Sequence, residues 1–202
     1  MRLTSATFLA HLRSPLSPLV LLMLAVVSLS SCSSVVCHQI VGSTPAKLEA
    51  KAWNGTWMTP DKHVLHLRVK EADKGVIEAA WIEEKNDQFV METHELLIRQ
   101  HGDWLWANLK DEDHGDFLFG RITEPDDERL LSWSAHAPGF AEAVRSGKLQ
   151  GEVVKNAQGK ESGNVKLAAL SDANLESIQR GDIKEAFLWD SPLVLMKLTS
   201  EK

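Results

Sequence analysis

From residue 55 onward, apolar and polar side chains alternate along the chain. Leu65, Leu67 and Val69 are interleaved with His66, Arg68 and Lys70, and Ile77, Ala79 and Trp81 share a face of the next run. Successive strand side chains point to opposite faces, so this period of two predicts strands with one buried side. The alternation continues through Trp104 and Trp106, Phe117 and Phe119, Leu131 and Trp133, Leu149 to Val153, and Val165 with Leu167; Leu193 to Leu198 is a closing strand. One run slips in phase. Phe89, Met91 and Thr93 share a face, but the apolar set resumes at Leu96 and Ile98, which predicts a β-bulge near His94–Glu95.

Polar clusters separate the runs, among them Asp73-Lys74-Gly75, His101-Gly102-Asp103 and Gln158-Gly159-Lys160. Gly, Asn and Asp supply the backbone angles of tight turns. Short strands beginning roughly every 12–15 residues indicate an antiparallel meander, closed as a barrel or folded as a sandwich. Two short helices interrupt it. Pro138 to Ser146 has Phe140 and Val144 on one face and Gly147 beyond its end; Ser171 to Arg180 has a polar cap, Leu175 and Ile178 on one face, and Gly181 as a stop. Ala46 to Trp53 has the composition for one or two further helical turns. The fold class is therefore mainly β, with no second domain in the body.

Composition narrows the function. The chain has 202 residues, with 28 acidic and 22 basic side chains and a formal charge of −6. That balance lacks the basic face of a nucleic-acid binder. The two cysteines, Cys32 and Cys37, stand close together near the N-terminus, so no disulfide framework holds the body. Seven Trp and no Tyr are present.

Residues 1–31 read as a cleaved leader. Arg2 and Arg13 are basic, Leu19 to Val27 is uninterrupted apolar sequence, and small residues lead to Cys32. The apolar run is shorter than the roughly 20 residues of a membrane span. Leu29-Ser30-Ser31-Cys32 resembles the lipobox of bacterial lipoproteins, which implies acylation of Cys32 and attachment to a membrane through that lipid. Removing 31 residues, which hold two Arg and no acid, leaves 171 residues at −8. Ser33 after the cysteine is consistent, by the same resemblance, with the outer membrane facing the periplasm; the inner membrane stays open. Residues 32–53 are then an anchor tether and short helix, with Cys37 a free thiol in the tether, and residues 54–202 are the β domain.

Gly55-Thr56-Trp57 at the start of the first strand resembles the Gly-x-Trp signature of lipocalins and related calycin barrels. The resemblance implies that Trp57 packs across the closed end of a barrel and that Gly55 lets the chain pass close by. It also implies a late Arg stacked on the Trp, for which no position is assigned, and the chain lacks the Tyr of the family's loop. Such a barrel either takes a small apolar ligand or is filled by its own side chains. The candidate pocket residues are Trp81, Trp104, Trp106, Phe119 and Trp133.

Other chemistry is thinly supported. The histidines form no metal-binding spacing; His66 and His94 fall within strands and could meet across the sheet, but a site needs a third ligand. Asp111 to Asp116 lacks the spacing of a calcium loop. No nucleophile-elbow motif occurs, and a hydrolase would have to draw His136 together with Ser132 or Glu142. The expectation is a non-enzymatic protein without metal or cofactor, binding a small apolar ligand or a protein partner in the cell envelope.

Overall fold

A computed structural model of the chain describes residues 33–85, 88–112, 114–126 and 128–198. The leader and Cys32 lie outside the described residues. The strands are β1 (Val35–Cys37), β2 (Thr44–Pro45), β3 (Gly55–Met58), β4 (Val64–Glu71), β5 (Val76–Lys85) and β6 (Gln88–His101). They continue with β7 (Trp104–Lys110), β8 (Phe117–Ile122), β9 (Arg129–Ser134), β10 (Gly151–Lys155), β11 (Glu161–Leu167) and β12 (Leu193–Lys197). Helices α1 (Ala50–Trp53), α2 (Ala137–Arg145) and α3 (Asp172–Gln179), with a single 3-10 turn at Ala72–Lys74, complete the described elements.

Strands β3 to β9 form an antiparallel meander, and β12 pairs with both β3 and β9, closing an eight-stranded barrel. The choice between barrel and sandwich is thus settled as barrel. Gly120 makes the seam possible. A Cβ there would lie 2.7 Å from the carbonyl oxygen of Trp133, so only glycine lets β8 approach β9 this closely. At the other end of β8, Phe117 and Leu118 stay paired with β7 but take β1 on their free edge, and β1 runs parallel to β11 and extends the sheet to β10.

Two apolar cores result, one on each face of the barrel wall. Inside lie Trp53, Trp57, Leu67, Ile77, Ile98 and Leu130, with Leu195 of the closing strand. Outside, against β7, β8 and the side sheet, lie Trp106, Phe119, Phe140, Leu175, Ile178 and Phe187. Each large apolar side chain so buried contributes on the order of 2–3 kcal/mol. Helix α2 reaches this outer core because Gly139 has no side chain: a Cβ would stand 2.3 Å from the Glu185 carbonyl oxygen. Helix α3 starts at a reciprocal cap between Ser171 and Asn174.

At the closed end, Trp57 is fully buried and its Nε1 donates to the carbonyl of Trp53, 3.1 Å away. The cation over its ring is a lysine. Lys197 Nζ stands 5.2 Å from the ring centre and donates to the carbonyls of Lys51 and Ala52 at the end of α1. Gly55 has φ +144°, and a Cβ there would lie 2.9 Å from Lys197 Cε. The Gly-x-Trp spacing therefore has a local cause: glycine makes room for the lysine that covers the tryptophan.

Two expectations are corrected. Strand β6 carries no bulge at His94–Glu95, since its pairing with β5 is continuous from Gln88 to Leu97. The phase never breaks. His94, Leu96 and Ile98 face inward in one phase, so the interior set simply includes a histidine, His94, while Met91 is turned out to solvent. A register irregularity occurs instead between Val69 and Glu71.

Residues 33–45 are also packed rather than loose. Val35, Cys37 and Val41 are buried, and Asn108 clamps the segment to β7. Its Oδ1 accepts from Val41 N at 2.7 Å, and its Nδ2 donates to the carbonyls of Val41 and Leu97. The apolar residues of this short stretch look like a tether in sequence because their spacing follows no single period.

Candidate functional site

The barrel interior is not completely filled. A cavity of about 120 Å³ lies above the Trp53–Trp57 plug. Its walls are almost wholly apolar, with Leu67, Ile77, Leu96, Ala107, Leu130 and Leu195 among them. Trp81 forms part of the wall, with the His63 ring 5.3 Å from its own. Beside the indoles of Trp53 and Trp81, the polar side chains that line it are Ser132 and Ser134 of β9, and His94 of β6.

His94 is the unusual member. Its Nε2 is shut off from solvent and has no hydrogen-bond partner. An unsatisfied buried polar atom costs about 1–3 kcal/mol. Apolar cavities of roughly 150 Å³ take a benzene ring, so the space suits a ring or chain of about that size. A single unpaired imidazole nitrogen among hydrocarbon walls suits a ligand with one hydrogen-bonding group.

Of the five expected pocket residues, only Trp81 lines this cavity. Trp104, Trp106, Phe119 and Trp133 project from the other side of the same strands into the outer core. The reason lies in what alternates with them. Leu105, Ala107 and Leu109 of β7, and Leu130, Ser132 and Ser134 of β9, take the inward positions. Both faces of these strands are buried, so alternation alone does not tell inside from outside.

The outward aromatics make a continuous layer. Trp104 packs 5.8 Å from Trp106 and 5.7 Å from Trp189, and Phe187 stands 5.8 Å from Trp106 and 5.2 Å from Trp189. Trp133 Nε1 donates to the Trp189 carbonyl and pins that loop to the barrel. In the middle is Arg121, its guanidinium carbon 4.4 Å from the Trp104 ring centre, 4.8 Å from Trp133 and 5.3 Å from Trp189.

The remaining candidates do not converge. His66 points out of the barrel, against Thr56 Oγ1, while His94 points in, so the two never meet. Ser132 faces the cavity, whereas His136 precedes α2 and its Nδ1 faces the Glu185 carbonyl at 3.1 Å. In the acidic loop, His114 contacts Asp111, and Asp116 faces His38 and Lys166. Among the described residues, no group of three or more His, Cys, Asp or Glu is placed to hold a metal ion. Cys37 lies in β1, where burial pushes its thiol above the ordinary range.

One constellation has the composition of a catalytic triad without its wiring. Ser43 Oγ is 2.6 Å from His101 Nδ1 and also donates to Asp172 Oδ1. Asp172 lies 3.5 Å from that same Nδ1. A triad needs the carboxylate on the ring nitrogen remote from the hydroxyl. This cluster instead ties the N-terminal segment to a hairpin and to the start of α3. No protein-family model matches the chain, and neither the curated proteins nor the solved structures yield a significant match to it.

Proposed function

We propose that the protein is a lipid-anchored, non-enzymatic barrel of the cell envelope that holds one small apolar ligand by a single polar end. The carrying observation is the hydrocarbon-walled cavity with His94 Nε2 unpaired inside it. A phenol, an alcohol or the carbonyl end of a short chain would satisfy that nitrogen and displace no ordered partner. The lipocalin-like reading of Gly55-Thr56-Trp57 agrees with such a role, and the closed barrel supports it.

The anchor reading rests on Leu29-Ser30-Ser31-Cys32. Strand β1 begins three residues after that cysteine, so an acylated Cys32 would hold the barrel within about 10 Å of extended chain from the bilayer. On this reading the protein sits at the outer membrane, facing the periplasm. Cys32→Ala is expected to release it into the soluble fraction; retention in the membrane would refute the anchor.

The ligand is tested by comparing phenol with benzene. Phenol is expected to bind about 2- to 10-fold more tightly, the value of one net hydrogen bond, and His94→Leu to abolish that preference. Equal affinities in the wild type would count against His94 as the polar contact. A second reading, an envelope interaction protein with a filled core, has one point in its favour. The cavity is smaller than the roughly 300 Å³ of most small-molecule sites, the greater part of the interior being plugged. Failure of both probes to enter would favour it.

A further inference from the structure

We propose that Arg121 and its three indoles form a second binding site, on the outer wall of the barrel, for a small oxyanion carried on a flat apolar body. The oxyanion is a carboxylate or a phosphate monoester. The site is independent of the cavity, because Arg121 projects from the opposite face of the wall.

The first argument is the state of the guanidinium. Arginine carries five N–H donors in a planar fork that matches a pair of anionic oxygens. Among the described residues Arg121 makes no hydrogen bond and no ion pair, and its Nε is buried without a partner. Its guanidinium lies over the faces of Trp104, Trp133 and Trp189. Every other arginine on the described surface is differently placed: Arg68, Arg129, Arg145 and Arg180 pair with carboxylates, and Arg99 bonds the carbonyls of Gly42 and Ser43.

The second argument is cost. Burial alone disfavours the charged form of Arg121, since no anion is present to offset the lost hydration. If the position only filled space between indoles, an apolar side chain would do so without that penalty. The cation stands where three rings fix its orientation, so little freedom is lost when an anion docks.

The third argument is the wall beside it. Trp189 is 42% exposed, an uncommon state for a large aromatic, and its loop is pinned through the bond from Trp133 Nε1. A flat apolar group attached to the anion would lie against this indole while the oxygens meet the fork. The chain as a whole is acidic, with charge −6, so attraction of anions here is a property of the site and not of the surface.

The test is a titration of the purified full chain with benzoate and with phenyl phosphate, read by tryptophan fluorescence and by the NMR signal of the Arg121 Nε–H group. Acetate and inorganic phosphate supply the charge without the body, and benzamide the body without the charge. Both aromatic anions are expected to move the Arg121 signal, more strongly than either control, and the tighter of the two identifies carboxylate or phosphate as the natural group. Arg121→Gln should weaken binding about 10- to 100-fold, the value of charge-assisted hydrogen bonds. Trp189→Ala should weaken the aromatic anions but not inorganic phosphate, and His94→Leu should change neither. An Arg121 signal unmoved by both anions at about 10 mM, weaker than any useful affinity, would overturn the proposal. So would benzamide binding as well as benzoate, or a folded Arg121→Gln variant that binds like the wild type. The wild-type NMR reading stands even if that variant fails to fold.

Discussion

Replacing His94 by leucine is expected to stabilise the ligand-free protein, the reverse of the usual result for an interior substitution. The imidazole Nε2 is buried without a partner, a cost of about 1–3 kcal/mol. Leucine is of similar size and matches the hydrocarbon walls formed by Leu96, Ala107 and Leu130. The net gain is about 1–2 kcal/mol. For a body of this size each kcal/mol moves Tm by about 2–4 °C, so a rise of about 2–8 °C is expected. The assay is thermal unfolding followed by circular dichroism, with urea unfolding as a check that the m-value is unchanged. A fall in Tm of similar size would refute the reasoning. It would mean that water already satisfies the imidazole, and hence that the cavity is wet. A buried water needs two to four polar partners, and the polar side chains lining this cavity are His94, Ser132 and Ser134 with the indoles of Trp53 and Trp81.

Three further outcomes are expected. Gly55→Ala should cost about 1–3 kcal/mol, since alanine is strained at φ +144° and its Cβ would push Lys197 off Trp57; equilibrium unfolding measures it. Asn108→Leu should cost about 3 kcal/mol by leaving Val41 N and two carbonyls without partners, and should speed proteolysis within residues 38–45. The Cys37 thiol is raised in the folded state, so its contribution to stability is complete below the ordinary thiol range and declines as pH rises through and beyond it. Unfolding free energy should therefore fall above about pH 8.5, and Cys37→Ala should flatten that limb.

Much of the barrel is readable in the sequence because its strands have one consistent inward set. Leu65 and Leu67, then Ile77, Ala79 and Trp81, appear in the structure as interior residues of neighbouring strands. The helices at residues 138–146 and 171–180 are equally plain, being bounded by proline, a polar cap and glycine. The reading weakens where both faces of a strand are buried. On β7 the tryptophans hold the outer core while Leu105, Ala107 and Leu109 take the inward positions, and size alone suggests the opposite. His94 is hidden for a related reason: a polar residue at an inward position reads as a break in phase. Lys197 and Arg121 give no local signal, because what distinguishes them is the ring they touch in another strand. Residues 33–45 join the body through Asn108, whose partner at Val41 is remote in sequence.

The most direct test of the central claim is the position of bound phenol, measured by intermolecular nuclear Overhauser effects in the purified protein. Contacts from phenol protons to the methyl groups of Ala107, Leu130 and Leu195, with the hydroxyl at His94, are the expected result. Contacts confined to exposed side chains such as Met91 and Trp189, with the interior methyls silent, would contradict it.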